Sequence, residues 1–363
     1  MKRTKKEFNE ALGVPEGIVK TAQRAFEDFK QEFKRELNSD QTEYEFSYTP
    51  SEPYRIADMD IDTINFKINL HPTDRSDEVE AISMGVEGKG ERGERKNRPV
   101  ILSVDKEGNT YFHMDLVTPE EWSEEDVIDF FNRKRVENVK SFSHELKHEY
   151  DEFKTPHQSL ANRIDYTISK DLIRGFPPLS KLAFNMYFIN QIESLVRPSE
   201  IAAEIDELGI TKEQFLDFLT NNQTYKKLKE INQFTVDQLK EELRPYVGEI
   251  RQLLNEFEDE PDPYEKSDDE VIERMMEIFF ITLSNKGNEA FYHSIITHPL
   301  EKIFGLPPKK EKWFNDFMKK NERYENNPMR FFDNTELEFK YKSNKVMRKL
   351  AKLYDYIKQN PSD

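Results

Sequence analysis

The stretch Ser143-His144-Glu145-Leu146-Lys147-His148 decides how the rest of the chain is read, because it sets two histidines four positions apart inside a helical pattern. On a 3.6-residue helix such positions lie about 40° apart, so both imidazoles can reach one tetrahedral metal ion. The glutamate between them stands beside that ion's open position, where it can take a proton from a bound water as the water attacks a carbonyl. An apolar stripe of Val139, Phe142, Leu146, Tyr150 and Phe153, spaced by three or four residues, passes straight through the motif. Leu146 is about 200° from His144, so the apolar side can face a core while the histidines face a cleft. The plainer alternative makes His144 and His148 the exposed polar face of an ordinary helix. Thr155-Pro156 marks where the helix ends.

Upstream, the period changes from helical to strand-like between Glu43 and Val117. Ile64, Phe66, Ile68 and Leu70 alternate with Asn65, Lys67 and Asn69, while Val100–Val104 and Tyr111–Val117 flank the turn signal Lys106-Glu107-Gly108-Asn109 and read as a hairpin. With Tyr44–Tyr48 and Glu80–Val86 this predicts a mixed or antiparallel sheet of four to five strands. The polar, Gly-rich run from Glu87 to Arg98 reads as a loop. Before the sheet, Phe8, Leu12, Val19, Ala22, Phe26, Phe29 and Phe33 predict two helices broken near Gly13 and Pro15, an N-terminal helical arm over residues 1–40. Between the sheet and the motif, Thr118-Pro119-Glu120-Glu121 predicts a helix start, with Thr as cap and Pro in the first turn.

Downstream, almost everything after Ser159 carries a helical period: Ser159–Arg174, Ser180–Val196, Ser199–Leu208, Lys212–Leu219, Val236–Phe257, Asp268–Ser284 and Asn344–Lys358. The acidic run Glu256–Pro263 reads as a linker. The helix Asn344–Tyr354 is basic and amphipathic, and the plain expectation docks it on the acidic body. These readings divide the chain into the arm, a core over residues 41–205 and a helical region over residues 206–363.

Composition narrows the function classes. Asp and Glu outnumber Lys and Arg by 71 to 54, a net charge of −17, which disfavours a general grip on nucleic-acid phosphates. There are no cysteines, so any metal must be held by His and carboxylates, and a reducing compartment suits the chain. The basic start Met1–Lys6 lacks the apolar run of a signal peptide, and no stretch is long enough to cross a membrane. The expected setting is cytoplasmic or virion-associated.

A strand-rich segment, a long helix bearing His-Glu-x-x-His and a helical half together resemble the order seen in zincin metallopeptidases, over roughly residues 43 to 205. The resemblance implies an α+β, zincin-like fold with an active-site helix, His144 and His148 as Zn²⁺ ligands, and Glu145 as catalytic base. It further implies a zinc peptidase acting on a protein or peptide. The metzincin extension is missing, since Glu149-Tyr150-Asp151-Glu152-Phe153-Lys154 follows His148. His157 falls too close behind the helix end, which leaves a carboxylate as third ligand, as in glutamate-type zincins. Three acids compete. Glu193 sits in an aromatic run and needs a cation, which Arg197 supplies four positions on. Glu200 follows Pro198-Ser199, a helix-start signal, where it can simply favour the dipole. Glu204 reads as a surface residue. Glu193 is the preferred ligand. For an oxyanion, Tyr150, Tyr187, Tyr292, His293 and His298 are available, and Asp151 is placed to hydrogen-bond a ligand histidine. His-Glu-Leu-x-His, followed some forty to fifty residues later by an aromatic run and Glu-x-x-x-Arg, and the basic ending, is also similar to zincin-like proteins of tailed phages. That likeness implies virion protein partners. The alternative function is a non-catalytic zinc-binding structural or interaction protein, such as a virion component.

Overall fold

Alternation of apolar and polar residues produces the sheet. The structure of the protein is a computed structural model and describes residues 12–38, 40–74, 76–81, 101–104, 110–154, 176–255, 262–297, 324 and 327–359. Strand β1 (Glu43–Tyr48) leads to a short hairpin, β2 (Tyr54–Ile56) and β3 (Met59–Ile61), and then to β4 (Ile64–Thr73). β5 (Glu80–Ala81), β6 (Ile101–Val104) and β7 (Thr110–Pro119) complete a five-stranded sheet in the order β1-β4-β7-β5, with β6 also pairing β7. The β4–β7 pair is parallel and the other pairs are antiparallel, so the sheet is mixed. Its register opposes Phe66 to Phe112, Ile68 to Met114 and Leu70 to Leu116, and all six are buried on one face. The predicted hairpin forms, with Ile101 opposite His113 and Val104 opposite Thr110. Its turn, residues 82–86 of the strand expected at Glu80–Val86, and the Gly-rich run lie outside the described residues. The β2–β3 hairpin is too short for periodicity to reveal.

Helix α1 (Ile18–Glu36) covers that apolar face. Gly17 caps it at φ +83°, where a Cβ would stand 2.7 Å from the Arg55 carbonyl oxygen, so only glycine lets the helix start against β2. Phe26, Phe29 and Phe33 are fully buried among Phe46, Phe66, Phe131 and Phe142. Residues 18–36 of the expected arm are therefore built into the core.

The helix start expected at Thr118-Pro119 lies later. Both residues still belong to β7, paired with Pro72 and Thr73. Helix α2 (Glu124–Arg133) begins after Ser123, whose hydroxyl accepts from the Asp126 N–H while the Asp126 carboxylate accepts from the Ser123 N–H. That reciprocal box outweighs a Thr-Pro signal committed to the sheet. Helix α3 (Arg135–Lys154) carries the motif and ends where Thr155-Pro156 predicts. Val139, Phe142, Leu146 and Tyr150 are buried, and Phe142 stacks on Phe112 of the sheet at 4.9 Å between ring centres. Burying a ring of this size contributes about 1.5–3 kcal/mol. Phe153, at the end of the stripe, is 52 % exposed because the helix has run past the sheet by then.

The second half is helical: α4 (Pro177–Phe188), α5 (Gln191–Glu207), α6 (Phe215–Asn221), α7 (Gln223–Asn232), α8 (Val236–Leu243), α9 (Val247–Asn255), α10 (Asp268–Thr297), α11 (Met329–Ala351) and α12 (Leu353–Gln359). One apolar core runs through both halves. The helix expected at Ser159–Arg174 lies outside the described residues. Among the described residues no helix is long and apolar enough to cross a membrane.

One boundary matters for the site. The sequence breaks Ser180–Val196 from Ser199–Leu208 at Pro198-Ser199, whereas the chain breaks at Ile189-Asn190 and runs α5 continuously through Pro198. The Asn190 side chain accepts from the Glu193 N–H at 2.8 Å and starts the helix there. Pro198 leaves one helical carbonyl without its donor, and its ring packs on Gly13, where a Cβ would approach Pro198 Cγ to 3.4 Å. Ser199 Oγ donates to the Gly13 carbonyl and Ser143 Oγ donates to the Ser199 carbonyl, each at 3.1 Å. Pro198-Ser199 is therefore the pin between α5, the N-terminal segment and the motif helix.

Candidate metal centre

Helices α3 and α5 lie face to face, and this contact assembles the site from two distant stretches of sequence. His144 and His148 project from the same side of α3, with their Nε2 atoms 3.0 Å apart and their rings nearly perpendicular. Across from them, the first turn of α5 presents Glu193. Its Oε2 is 3.5 Å from His144 Nε2 and its Oε1 is 3.5 Å from His148 Nε2. Glu145 joins the same cluster, with Oε1 at 3.8 Å from His144 Nε2. His144, Glu145 and His148 form a group able to hold a metal ion, their ligand atoms all lying within 4.8 Å of one another.

The donor set fits a tetrahedral ion. Zinc bonds of 2.0–2.1 Å in a tetrahedron separate neighbouring ligand atoms by about 3.3 Å; the two imidazole Nε2 atoms are 3.0 Å apart, and each has a different oxygen of the Glu193 carboxylate at 3.5 Å. Charge fits as well. Glu145, Glu193 and Glu200 are buried together, and Arg197 pairs with the last two. Three carboxylates gathered in a desolvated place make a setting that a divalent cation would stabilise.

Arg197 is 1 % exposed and touches both acids of its helix, with Nη2 at 3.3 Å from Glu193 Oε2 and Nη1 at 2.8 Å from Glu200 Oε2. Its guanidinium lies on the Phe188 ring, 4.2 Å from the centre, which supports the flat group from beneath. Glu200 turns its Oε2 toward His144 Nδ1 at 3.8 Å. At 3.8 Å this is a charge contact and not a hydrogen bond; a proton held on Nδ1 would leave the Nε2 lone pair to the site. Reading Glu200 as a helix-start charge is corrected by the continuous α5, which makes positions 193, 197 and 200 one face of a single helix. The spacing Glu193-x-x-x-Arg197-x-x-Glu200 held that signal, which Pro198 obscured.

The other candidates lie elsewhere. Glu204 pairs with Lys140 and accepts from Asn222 Nδ2 at 2.9 Å, tying α5 to α3 and α7. Asp151 pairs with Lys147, and the acid facing His144 Nδ1 is Glu200. Burial pushes the Lys147 ammonium below its ordinary range, which the Asp151 charge opposes. Tyr150 lies on the buried side of α3, with the ammonium of Lys154 over its ring. Tyr187 stands next to Phe184. His157, His298 and the side chains of Tyr292 and His293 lie outside what the structure describes.

The chain matches none of the protein families, curated proteins or solved structures with which it was compared. Fold and site together define an α+β chain with a helical second half and a His/Glu/His group able to hold a metal ion.

Proposed function

We propose that the protein is a zinc-dependent peptidase of zincin type, with His144, His148 and Glu193 as metal ligands and Glu145 as general base. The observation behind this reading is the convergence of two Nε2 atoms and the Glu193 carboxylate, from positions 45 residues apart in sequence, to within 3.0 to 3.5 Å of one another in a largely buried place. When bound, zinc polarises a carbonyl and makes water nucleophilic near neutral pH. The chain's own groups do the rest. Glu145 takes the proton of the attacking water and passes it to the leaving amine. Glu200 fixes the orientation of His144, and Arg197 holds Glu193 and Glu200 side by side at low electrostatic cost. β6 borders α3 and, among the described residues, pairs only with β7, so its outer edge can receive an extended peptide as an added strand.

Hydrolysis of a peptide library by the wild type and by Glu145→Gln, at equal zinc content, tests the reading. Loss of the base is expected to slow cleavage by about 10²–10⁴-fold. Zinc bound with no cleavage by the wild type would favour the non-catalytic interaction protein instead, including a virion component.

A further inference from the structure

The rim of the site carries a charge opposite to that of the chain. On α3, Lys147 and Asp151 lie about 60° and about 20° from the direction of His144, so they border the histidine face. Helix α11 packs on α5 together with α12, burying Val346 and Leu350 with Leu353 of α12 beside them, and brings Lys349 within electrostatic reach of Lys147 and Asp151. The other side of that segment exposes Lys345, Arg348 and, at the helix end, Lys352, while Lys349 lies partly buried toward Lys147 and Asp151. No acid occurs between positions 345 and 352, and among the described residues none of these four cations forms an ion pair. Lys147 already has Asp151, so among the described residues this border carries four cations without an ion pair, on a chain whose net charge is −17. They are close enough to act on one another. Burial first, and then the charges of Lys345, Lys147 and Lys352, push the Lys349 ammonium down, against the pull of Asp151. A solvated helix face in so acidic a protein has carboxylates available for pairing, as Lys340 with Glu336 and Lys342 with Glu338 show one turn earlier.

We infer that the Lys345–Lys352 face is the docking surface for an acidic segment of a polypeptide, held beside the metal centre. Resting on the peptidase reading above, it makes acidic proteins the substrate class. Charge complementarity selects this occupant. A short run of Asp and Glu meets only the local cations, since the remaining negative surface is screened beyond about 8 Å at physiological salt. A nucleic-acid backbone would extend across that acidic surface and be repelled by it.

The test is fluorescence anisotropy with a labelled acidic decapeptide and its Gln counterpart. The full chain as Glu145→Gln, zinc-loaded, provides the reference, so that binding is read without cleavage. The second protein adds K345Q, R348Q and K352Q, all at exposed positions. The acidic peptide is expected to bind, to weaken roughly tenfold in the triple variant, and to weaken with added salt, while the Gln peptide does not bind. Equal binding of the two peptides, or no change in the triple variant, would overturn the inference. So would a short DNA duplex that binds more tightly than the acidic peptide and loses affinity in the same variant. The two readings fail separately. Cleavage of neutral peptides without acidic-peptide binding removes the docking surface alone. Salt-sensitive binding through the lysines with no cleavage of any peptide keeps the surface and removes the peptidase.

Discussion

Among the described residues two places combine two histidines with a carboxylate, and they behave in opposite ways. Between α3 and α5, His144 and His148 turn their Nε2 atoms to within 3.0 Å of each other and face a buried Glu193. On the outer face of the sheet, His71 and His113 approach the same oxygen of Asp115 at 3.1 and 3.4 Å, and Asn69 Nδ2 reaches both Asp115 Oδ1 and His113 Nε2 at 2.9 Å. The sheet cluster is a closed set of hydrogen bonds, with His71 half exposed. The helix cluster is largely buried and gathers three carboxylates about its histidines, with Arg197 paired to two of them. Histidine count does not distinguish the two. Ring nitrogens that converge among buried carboxylates do, and the convergence arises because i and i+4 share a helix face whereas His113 and His71 come from neighbouring strands and approach each other through Asp115.

The comparison is broken most severely at Glu193. On the proposed reading Glu193→Gln takes away a charged ligand, and it should weaken zinc binding by more than the 10–100-fold expected for a group that only supports a ligand. Glu200→Gln, which leaves all three ligands in place, should cost roughly tenfold. Competition with a chromophoric chelator measures both, and equal losses would mean that Glu200 and not Glu193 alone contacts the metal.

Metal removal should next separate the two clusters by stability. A ligand at a thousand times its dissociation constant stabilises the native state by about 4 kcal/mol. Chelation should therefore lower the thermal midpoint of the wild type and leave His144→Ala unchanged, as followed by circular dichroism. An equal shift in both proteins would remove the metal from the account.

The smallest effect belongs to the sheet cluster. The His113 hydrogen bond, aided by Asn69 and His71 and opposed by burial, holds the Asp115 carboxyl well below the usual carboxylate range. A carboxyl whose pKa falls on folding contributes stability above its unfolded pKa of about 3.9 and loses it as pH drops through the folded value. The stability gap between wild type and Asp115→Asn should therefore be full near neutrality and shrink only below about pH 4. Urea titrations at several pH values would show it, and a gap that grows on acidification would contradict the assignment.

Much of the site was legible because its signals are local. The four-residue spacing of the histidines, the apolar stripe behind them and the Glu193–Arg197 pair lie within one or two helical turns. What sequence hid was tertiary. Pro198-Ser199 has the form of a helix start, yet Asn190 had already begun the helix and Gly13 made room for the proline ring, which moved Glu200 from a helix terminus to the back of His144. Thr118-Pro119 misled for the same reason, since pairing with β4 claimed both residues for the sheet. The Asn69, His71, His113 and Asp115 cluster depends on the parallel register of β4 and β7, which no periodicity encodes.

The central claim is that the helix pair binds one zinc ion through His144, His148 and Glu193. Elemental analysis of the full chain, dialysed against micromolar zinc and then gel-filtered, addresses it most directly in four proteins: wild type, His144→Ala, His148→Ala and the His71→Ala, His113→Ala double variant. The account predicts about one zinc per chain in the wild type and in the double variant, and close to none in either single variant. A wild type without zinc, or zinc that persists in His144→Ala and disappears with His71 and His113, would contradict it.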